Sequence, residues 1–127
     1  MDSTVRVRIL VQDVPASIAF YSSNLGFSVE GPRSPAFAAV RRGNLLLLLS
    51  GGGSSAARPM PDGRVPEPGG WNRIQLIVDD VEAEAARLRA AGVTFRNEVI
   101  RGPGGAQTVL DDQAGNPVEL FQPAARV

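Results

Sequence analysis

The sequence predicts an α+β fold made of two βαβββ modules. Apolar residues alternate along short strand-like segments, two segments have helical spacing behind an Asp cap, and this order of elements occurs twice. With 127 residues, the chain is long enough for one well-packed domain and too short for two ordinary ones. We therefore expect one compact domain with a first module at residues 1–50 and a second module at residues 71–127.

The first module begins with a strand between Thr4 and Gln12, in which apolar and polar residues alternate. Asp13 is placed to cap a helix, and Gly26 is placed to end it. The apolar stripe of this helix comprises Val14, Ile18, Tyr21 and Leu25. Three short strands are then expected at Phe27–Glu30, Phe37–Arg41 and Leu45–Leu49.

The second module repeats this order. A strand at Arg73–Asp79 precedes the cap Asp80, and Gly92 is placed to end the helix that follows. The apolar stripe of this helix comprises Val81, Ala85 and Leu88. Three further strands are expected at Val93–Ile100, Gln107–Leu110 and Val118–Phe121. The segment Gly115–Glu119 also matches Gly43–Leu47, since both begin with Gly-Asn.

Residues 51–70, between the modules, are rich in Gly, Ser and Pro and have no apolar periodicity. Such a stretch is either a linker or a functional cover, and we favour the linker. Its length would allow the two modules to pair within one chain or to exchange with a second chain.

The charge balance indicates which partners to expect. Acidic and basic residues number thirteen each, which gives no reason to expect a nucleic acid or an anionic membrane as partner. No apolar run approaches the length of a membrane span, and the first residues do not resemble a signal peptide. We therefore expect a soluble cytoplasmic protein.

Three residue types are missing from the sequence: Cys, His and Lys. Their absence excludes disulfides, thiolate catalysis, imidazole acid–base chemistry and a lysine Schiff base. Any metal ion would have to be bound by carboxylates, carbonyls and water, which suits Mg²⁺ or Ca²⁺ better than Zn²⁺, Ni²⁺ or Fe²⁺.

Three segments carry a family resemblance. They are Val7–Asp13 running into Ser17–Tyr21 and Leu25–Phe27, Ile74–Asp80 followed by Leu88–Val93, and the ending Asp111–Pro123. These segments resemble the vicinal oxygen chelate superfamily, which includes glyoxalases, bleomycin-resistance proteins and dioxygenases. The resemblance covers everything except residues 51–70. It implies that each module's sheet forms half of a cup, with the helices outside and the ligand inside.

The resemblance also implies where a metal ion would bind in the metal-dependent members. Carried onto this chain, those positions are Arg6, Leu47, Arg73 and Glu119. Only Glu119 keeps a family metal ligand, because Arg offers no lone pair and its charge repels a divalent cation. We therefore expect no metal, no cofactor, and neither glyoxalase I nor extradiol dioxygenase activity.

Strand alternation indicates which side chains face the cup. If Val7, Ile9, Ile74, Leu76 and Val78 pack under the helices, the intervening polar residues face the other way. The expected ligand-binding residues are Arg6, Arg8, Phe37, Leu47, Leu49, Trp71, Arg73, Gln75, Glu119 and Phe121. Such a mixture of apolar and polar groups suits an organic ligand.

Alternatives stay open for several of these residues. Arg6, Arg73 and Glu119 are expected to lie within reach of one another, and they are equally well interpreted as a buried salt-bridge cluster. Trp71 either anchors the linker or stacks on a planar ligand. Phe37 is more often a core residue than a ligand contact.

Three functions are compatible with these residues. The first is a metal-independent homodimer that sequesters a planar, apolar or partly anionic small molecule such as an antibiotic, as bleomycin-resistance proteins do. The alternative is a metal-independent lyase or isomerase in which Glu119 is the general base and Arg6 and Arg73 stabilise an enolate or oxyanion. The third is a protein whose cup is filled and whose role lies in an interaction surface.

Overall fold

A computed structural model describes residues 2–125, which form two compact units with a boundary between Gly69 and Gly70. Each unit contains one four-stranded sheet and one α-helix. Within the described residues, neither sheet closes into a barrel. The predicted α+β fold with two βαβββ modules is confirmed.

The first unit opens with β1 (Val5–Leu10) and α1 (Val14–Asn24). Three strands follow, β2 (Ser28–Ser34), β3 (Phe37–Arg42) and β4 (Leu45–Ser50). The strand order is β1-β4-β3-β2, in which β1 and β4 are parallel and the other neighbours are antiparallel. The predicted strands of this unit are confirmed, and β2 extends past its predicted end.

The second unit repeats this topology. It begins with β5 (Ile74–Ile77) and α2 (Val81–Ala90). It continues with β6 (Ile100–Gly102), β7 (Gly105–Asp111) and β8 (Pro117–Pro123). The strand order is β5-β8-β7-β6, again with a parallel pair formed by the first and last strands of the unit.

Both helices begin at the predicted caps. The carboxylate of Asp13 accepts a hydrogen bond from the Ala16 amide at 3.0 Å, and that of Asp80 accepts one from the Ala83 amide at 3.0 Å. Gly26 and Gly92 follow the C-caps with φ of 74° and 88°, a conformation that favours glycine. Neither helix, and no other helix within residues 2–125, is long and apolar enough to cross a bilayer.

The helix stripes pack as expected, with one exception. Val81, Ala85 and Leu88 of α2 are all buried. In α1 the buried residues are Val14, Ser17 and Tyr21, and Leu25 is buried directly after the helix, whereas Ile18 is only partly buried. These stripes bury one face of each helix against its own sheet.

The predicted strand at Val93–Ile100 is wrong for most of its length. Only β6, which begins at Ile100, and an isolated bridge between Phe95 and Leu110 pair with β7. The Asn97 side chain replaces the missing strand partner, because its Oδ1 accepts from the Val109 amide at 2.9 Å and from Thr108 Oγ1 at 3.0 Å. A side-chain acceptor of this kind competes with a regular ladder.

The Gly-, Ser- and Pro-rich stretch contains local structure. Residues 51–69 belong to the first compact unit and include a short 3-10 helix at Ser55–Ala57. Ser54 Oγ donates to the Gly51 carbonyl at 2.6 Å, and the Met60 amide donates to the Arg64 carbonyl at 2.7 Å. These turns fold the stretch back on itself, and its role as a linker or as a cover stays a prediction.

Candidate functional site

The register of the second sheet decides which side chains share a face. Gln75 pairs with Glu119 and Ile77 pairs with Phe121 along the parallel strands β5 and β8. Directly paired residues project to the same side of a sheet. These four residues therefore lie on one face, called here the helix-free face of the second unit. The alternate residues are buried on the side of α2, for example Leu76, 5% exposed.

A hydrogen-bonded cluster is built around Glu119 on this face. The Glu119 side chain is only 8% exposed. Its Oε1 accepts from Arg73 Nε at 3.0 Å, and its Oε2 accepts from Gln75 Nε2 at 2.7 Å. Both carboxylate oxygens therefore have a donor, and Arg73 provides the compensating charge. The predicted pairing of Arg73 with Glu119 is observed, whereas Arg6 lies in the other unit and its part in the cluster stays a prediction.

Trp71 lies just before β5 in the second unit and is 69% exposed. The guanidinium carbon of Arg96 lies 4.5 Å from the centroid of its indole ring. Arg96 also donates to the Gly70 carbonyl at 2.7 Å, and Arg73 Nη1 donates to the Trp71 carbonyl at 3.3 Å. Trp71 is thus held by contacts with two Arg side chains while most of its surface is in solvent.

In the first unit the register corrects the expected orientation of β4. Leu47 pairs with Val7, and Leu49 pairs with Ile9, so these Leu side chains share the face of the apolar β1 residues. Both are fully buried. The residues that share a face with Arg6 and Arg8 are Leu46 and Leu48. The expectation that Leu47 and Leu49 lie beside the two Arg side chains is wrong.

The cause is a difference in the length of two hairpin loops. Two residues connect β3 to β4, whereas five connect β7 to β8. The matching Gly-Asn pairs therefore occupy different places relative to the strands. By strand register, the residue corresponding to Glu119 is Leu48, because Leu48 pairs with Arg8 as Glu119 pairs with Gln75. A slip of one residue reverses the face of every side chain in a strand.

The helix-free face of the first unit combines an apolar cluster with several cations. Ala39, Leu46 and Leu48 form the cluster, and Phe37 packs against it partly buried. Phe37 therefore packs against this cluster and also lies on the face that was expected to contact the ligand.

The cations on this face differ in their partners. Arg41 forms a bidentate ion pair with Glu30 at 2.7 and 2.9 Å. Hydrogen bonding from Arg41 lowers the pKa of Glu30, and hydrogen bonding to Glu30 raises the pKa of Arg41. Arg8 donates to the neutral Ser50 Oγ at 3.1 Å. In the part of the chain that the structure describes, Arg6 and Arg8 have no carboxylate partner. This face therefore has an excess of positive charge.

The residues at the family's metal positions do not fit a divalent cation. Glu119 is the only one of them with a ligating side chain, and both of its oxygens already accept hydrogen bonds. Elsewhere in residues 2–125 there is no group of three or more His, Cys, Asp or Glu side chains that could hold a metal ion. The donor set at these positions is therefore unsuited to a metal.

Three residues of the candidate site were not predicted from the sequence: Leu46, Leu48 and Arg96. Leu46 and Leu48 take the places assigned to Leu47 and Leu49, and only the strand register distinguishes them. Arg96 contacts Trp71 from a segment expected to be a regular strand. The short distance between Arg96 and Trp71 depends on tertiary structure, and no local sequence pattern indicates it.

Replacing Glu119 with Gln should destabilise the protein. The change removes the counter-ion of Arg73 and leaves one oxygen acceptor where the carboxylate offered two. Because the side chain is buried, we expect the free energy of unfolding to fall by about 1–4 kcal/mol. Urea denaturation of wild-type and Glu119→Gln protein measures this difference. Glu98→Gln is the control, since the Glu98 side chain is 90% exposed and should change stability little. Equal stability of wild-type and Glu119→Gln protein would contradict the assigned role of the cluster.

Comparisons with known proteins agree with this architecture. Residues 3–120 match the family model of the Glyoxalase/Bleomycin resistance protein/Dioxygenase superfamily. No curated protein matches the chain. Among solved structures, TnmS3, an antibiotic binding protein from a Streptomyces species, is 25% identical, with 95% of each chain covered and a TM-score of 0.72.

Two other structures are similar over comparable lengths. A superfamily member from Sphaerobacter thermophilus is 27% identical, covers 94% of this chain and 95% of its own, and has a TM-score of 0.72. Lactoylglutathione lyase from Agrobacterium tumefaciens is 22% identical, covers 93% of this chain and 91% of its own, and has a TM-score of 0.73. At that identity the likeness to the lyase concerns the fold alone. Because the family model matches nearly the whole chain, the protein belongs to the glyoxalase/bleomycin resistance protein/dioxygenase superfamily.

Proposed function

We propose that the protein sequesters a planar, apolar or partly anionic organic molecule, such as an antibiotic, without a metal ion and without converting it chemically. The observation that carries this proposal is the state of Glu119, whose two oxygens are held by Arg73 and Gln75. A general base needs a free oxygen that can reach the substrate proton, whereas both oxygens of Glu119 already accept hydrogen bonds within the protein. Glu119 is better suited to be a counter-ion than a catalyst.

The surfaces of the two units support the chemical class of the ligand. The second unit presents two exposed apolar side chains, Trp71 and Ile77, and Ile77 pairs with the partly buried Phe121. The first unit supplies Arg6 and Arg8, two cations without a carboxylate partner among the described residues. Apolar surface with a few polar groups is typical of small-molecule sites, and the excess cations favour a ligand with some negative charge.

Each helix-free face is proposed as a ligand-contacting surface. On the first unit the contacting residues would be Arg6, Arg8 and Phe37, with Leu46 and Leu48 in place of Leu47 and Leu49. On the second unit they would be Trp71, Arg73, Gln75, Glu119 and Phe121. TnmS3 adds support from a relative, because it is an antibiotic binding protein.

Binding of such a ligand should raise the melting temperature, since a ligand that binds only the folded state stabilises it by mass action. A thermal-shift screen with planar aromatic natural products and matched non-planar compounds measures this effect. We expect shifts of several degrees at ligand concentrations about a hundredfold above Kd for planar members of the library. Wild-type protein that responds to no planar compound would contradict the proposal.

Two controls separate the proposal from its alternatives. A chelator such as EDTA should leave the ligand-induced shift unchanged, because the proposed site needs no metal. A Trp71→Leu variant should keep the melting temperature of the free protein, since the side chain is mostly exposed, and should lose much of the shift. Loss of the wild-type shift on adding EDTA would show that binding depends on a metal.

The proposal includes the homodimer expected from the sequence. Ile100 is 53% exposed on β6, an edge strand of the second sheet, where a partner chain would cover it. Light scattering at micromolar concentration should give a mass of twice the 13.4 kDa of the chain. A mass equal to that of one chain would contradict the dimer and leave the ligand proposal to be judged by the thermal shifts.

A further inference from the structure

Trp71 is fixed in position although it is not buried. The residue is 69% exposed, yet the carbonyl groups of Gly70 and Trp71 each accept a hydrogen bond from an Arg side chain. These two hydrogen bonds hold the backbone at Trp71, and the Arg96 guanidinium lies over one face of its ring. Holding an aromatic ring in place before binding lowers the entropy cost of recognition. These contacts therefore favour a role for Trp71 as a preformed contact surface.

Arg96 is itself immobilised beneath the ring. Its Nε donates to Asp111 Oδ1 at 2.6 Å, its Nη1 to the Gly70 carbonyl at 2.7 Å, and its Nη2 to the Gly115 carbonyl at 3.1 Å. All three guanidinium nitrogens are engaged, and the side chain is only 18% exposed. The cation that lies 4.5 Å from the Trp71 ring is thus held in one orientation.

We propose that Arg96 is a positioning and specificity-determining residue, which presents the outer face of Trp71 to planar ligands and selects neutral or anionic aromatic molecules against cationic ones. This inference rests on the proposed ligand-binding function and names the charge class that the same site accepts. Arg96 acts through Trp71, which would make the contact with the ligand.

The selectivity follows from the electrostatics of an aromatic ring. A cation over one face attracts the π electrons of the ring towards itself. The opposite face then attracts a second cation less strongly, and the two cations repel each other across the ring. Stacking of a neutral or anionic aromatic ring on that face carries no such repulsion. Asp111 is paired with Arg96 and offsets part of its charge for groups farther away. The guanidinium, however, is the group in contact with the indole.

The positioning role can be tested without any ligand, because Trp71 is the only tryptophan in the chain. Acrylamide quenching and fluorescence anisotropy of Trp71 would be measured in wild-type protein and in Arg96→Gln. We expect the variant to be quenched more efficiently and to show lower anisotropy.

Arg96→Lys keeps the positive charge but loses the three-way hydrogen bonding. Compared with Arg96→Gln, it should therefore restore only part of the preference for neutral or anionic ligands.

Arg89→Gln is the matched control. Arg89 also lies over an aromatic ring, 4.3 Å from the centroid of Phe95, but it belongs to α2. Its replacement should leave Trp71 fluorescence and ligand binding unchanged. Unaltered Trp71 quenching and anisotropy in Arg96→Gln, with the fold intact by circular dichroism, would overturn the positioning role.

The charge selectivity is tested with two tricyclic probes of similar size, anthracene carboxylate and the cation aminoacridine. Titration calorimetry on wild-type protein should show the anion binding at least about fivefold more tightly, and Arg96→Gln should reduce this ratio. Equal or tighter binding of aminoacridine by wild-type protein would overturn the selectivity. Failure of both probes to bind would overturn the selectivity and count against the proposed function, while the fluorescence measurements would still decide the positioning role of Arg96.

Discussion

Parallel pairing of the first and last strands in each unit determines which side chains share a face. In the second unit it brings Gln75 beside Glu119, and their hydrogen bond of 2.7 Å is a direct consequence. In the first unit the same pairing places Leu48 beside Arg8. Two sheets with one topology thus carry different groups at the corresponding position, a buried carboxylate in one and an aliphatic side chain in the other. The chemistry available to each face follows from this difference.

The charge of the buried Glu119 carboxylate has to be balanced by a partner of opposite charge. Leaving one ion of a buried pair without its partner typically costs a protein several kcal/mol, so a chain that retains Glu119 needs the Arg73 charge and a second donor. The two side chains that meet this need also occupy the oxygens that would bind a metal ion or abstract a proton. One set of contacts therefore stabilises the second unit and supports the proposed role in ligand binding.

Much of the fold could be predicted from local patterns. Asp13 and Asp80 were recognisable as caps because each precedes a helical stripe, and alternation along β5 and β8 correctly placed Gln75, Glu119 and Phe121 on one face. The orientation of β4 could not be obtained in this way. Leu occupies every position from 45 to 49, so the strand has no polar residues to mark its faces.

Two other features depend on contacts that no local pattern encodes. Asn97 replaces the ladder of an expected strand with its side-chain oxygen, which a count of apolar residues does not register. Arg96 and Trp71 are twenty-five positions apart in the sequence. Only the tertiary structure brings the Arg96 guanidinium over the Trp71 ring. The candidate site was therefore predicted best on β5 and β8, where polar residues mark one face of the strand.

A protein that sequesters its ligand holds the molecule without changing it chemically. The most direct test is to incubate the protein with a molar excess of the planar compound that stabilises it most, and to remove unbound compound by desalting. Mass spectrometry before and after denaturation then measures how much is retained and in what chemical form. Sequestration predicts about one equivalent retained per binding site and recovered chemically unchanged. A product of different mass or an isomer, formed in amounts that exceed the protein, would contradict sequestration and identify the protein as an enzyme.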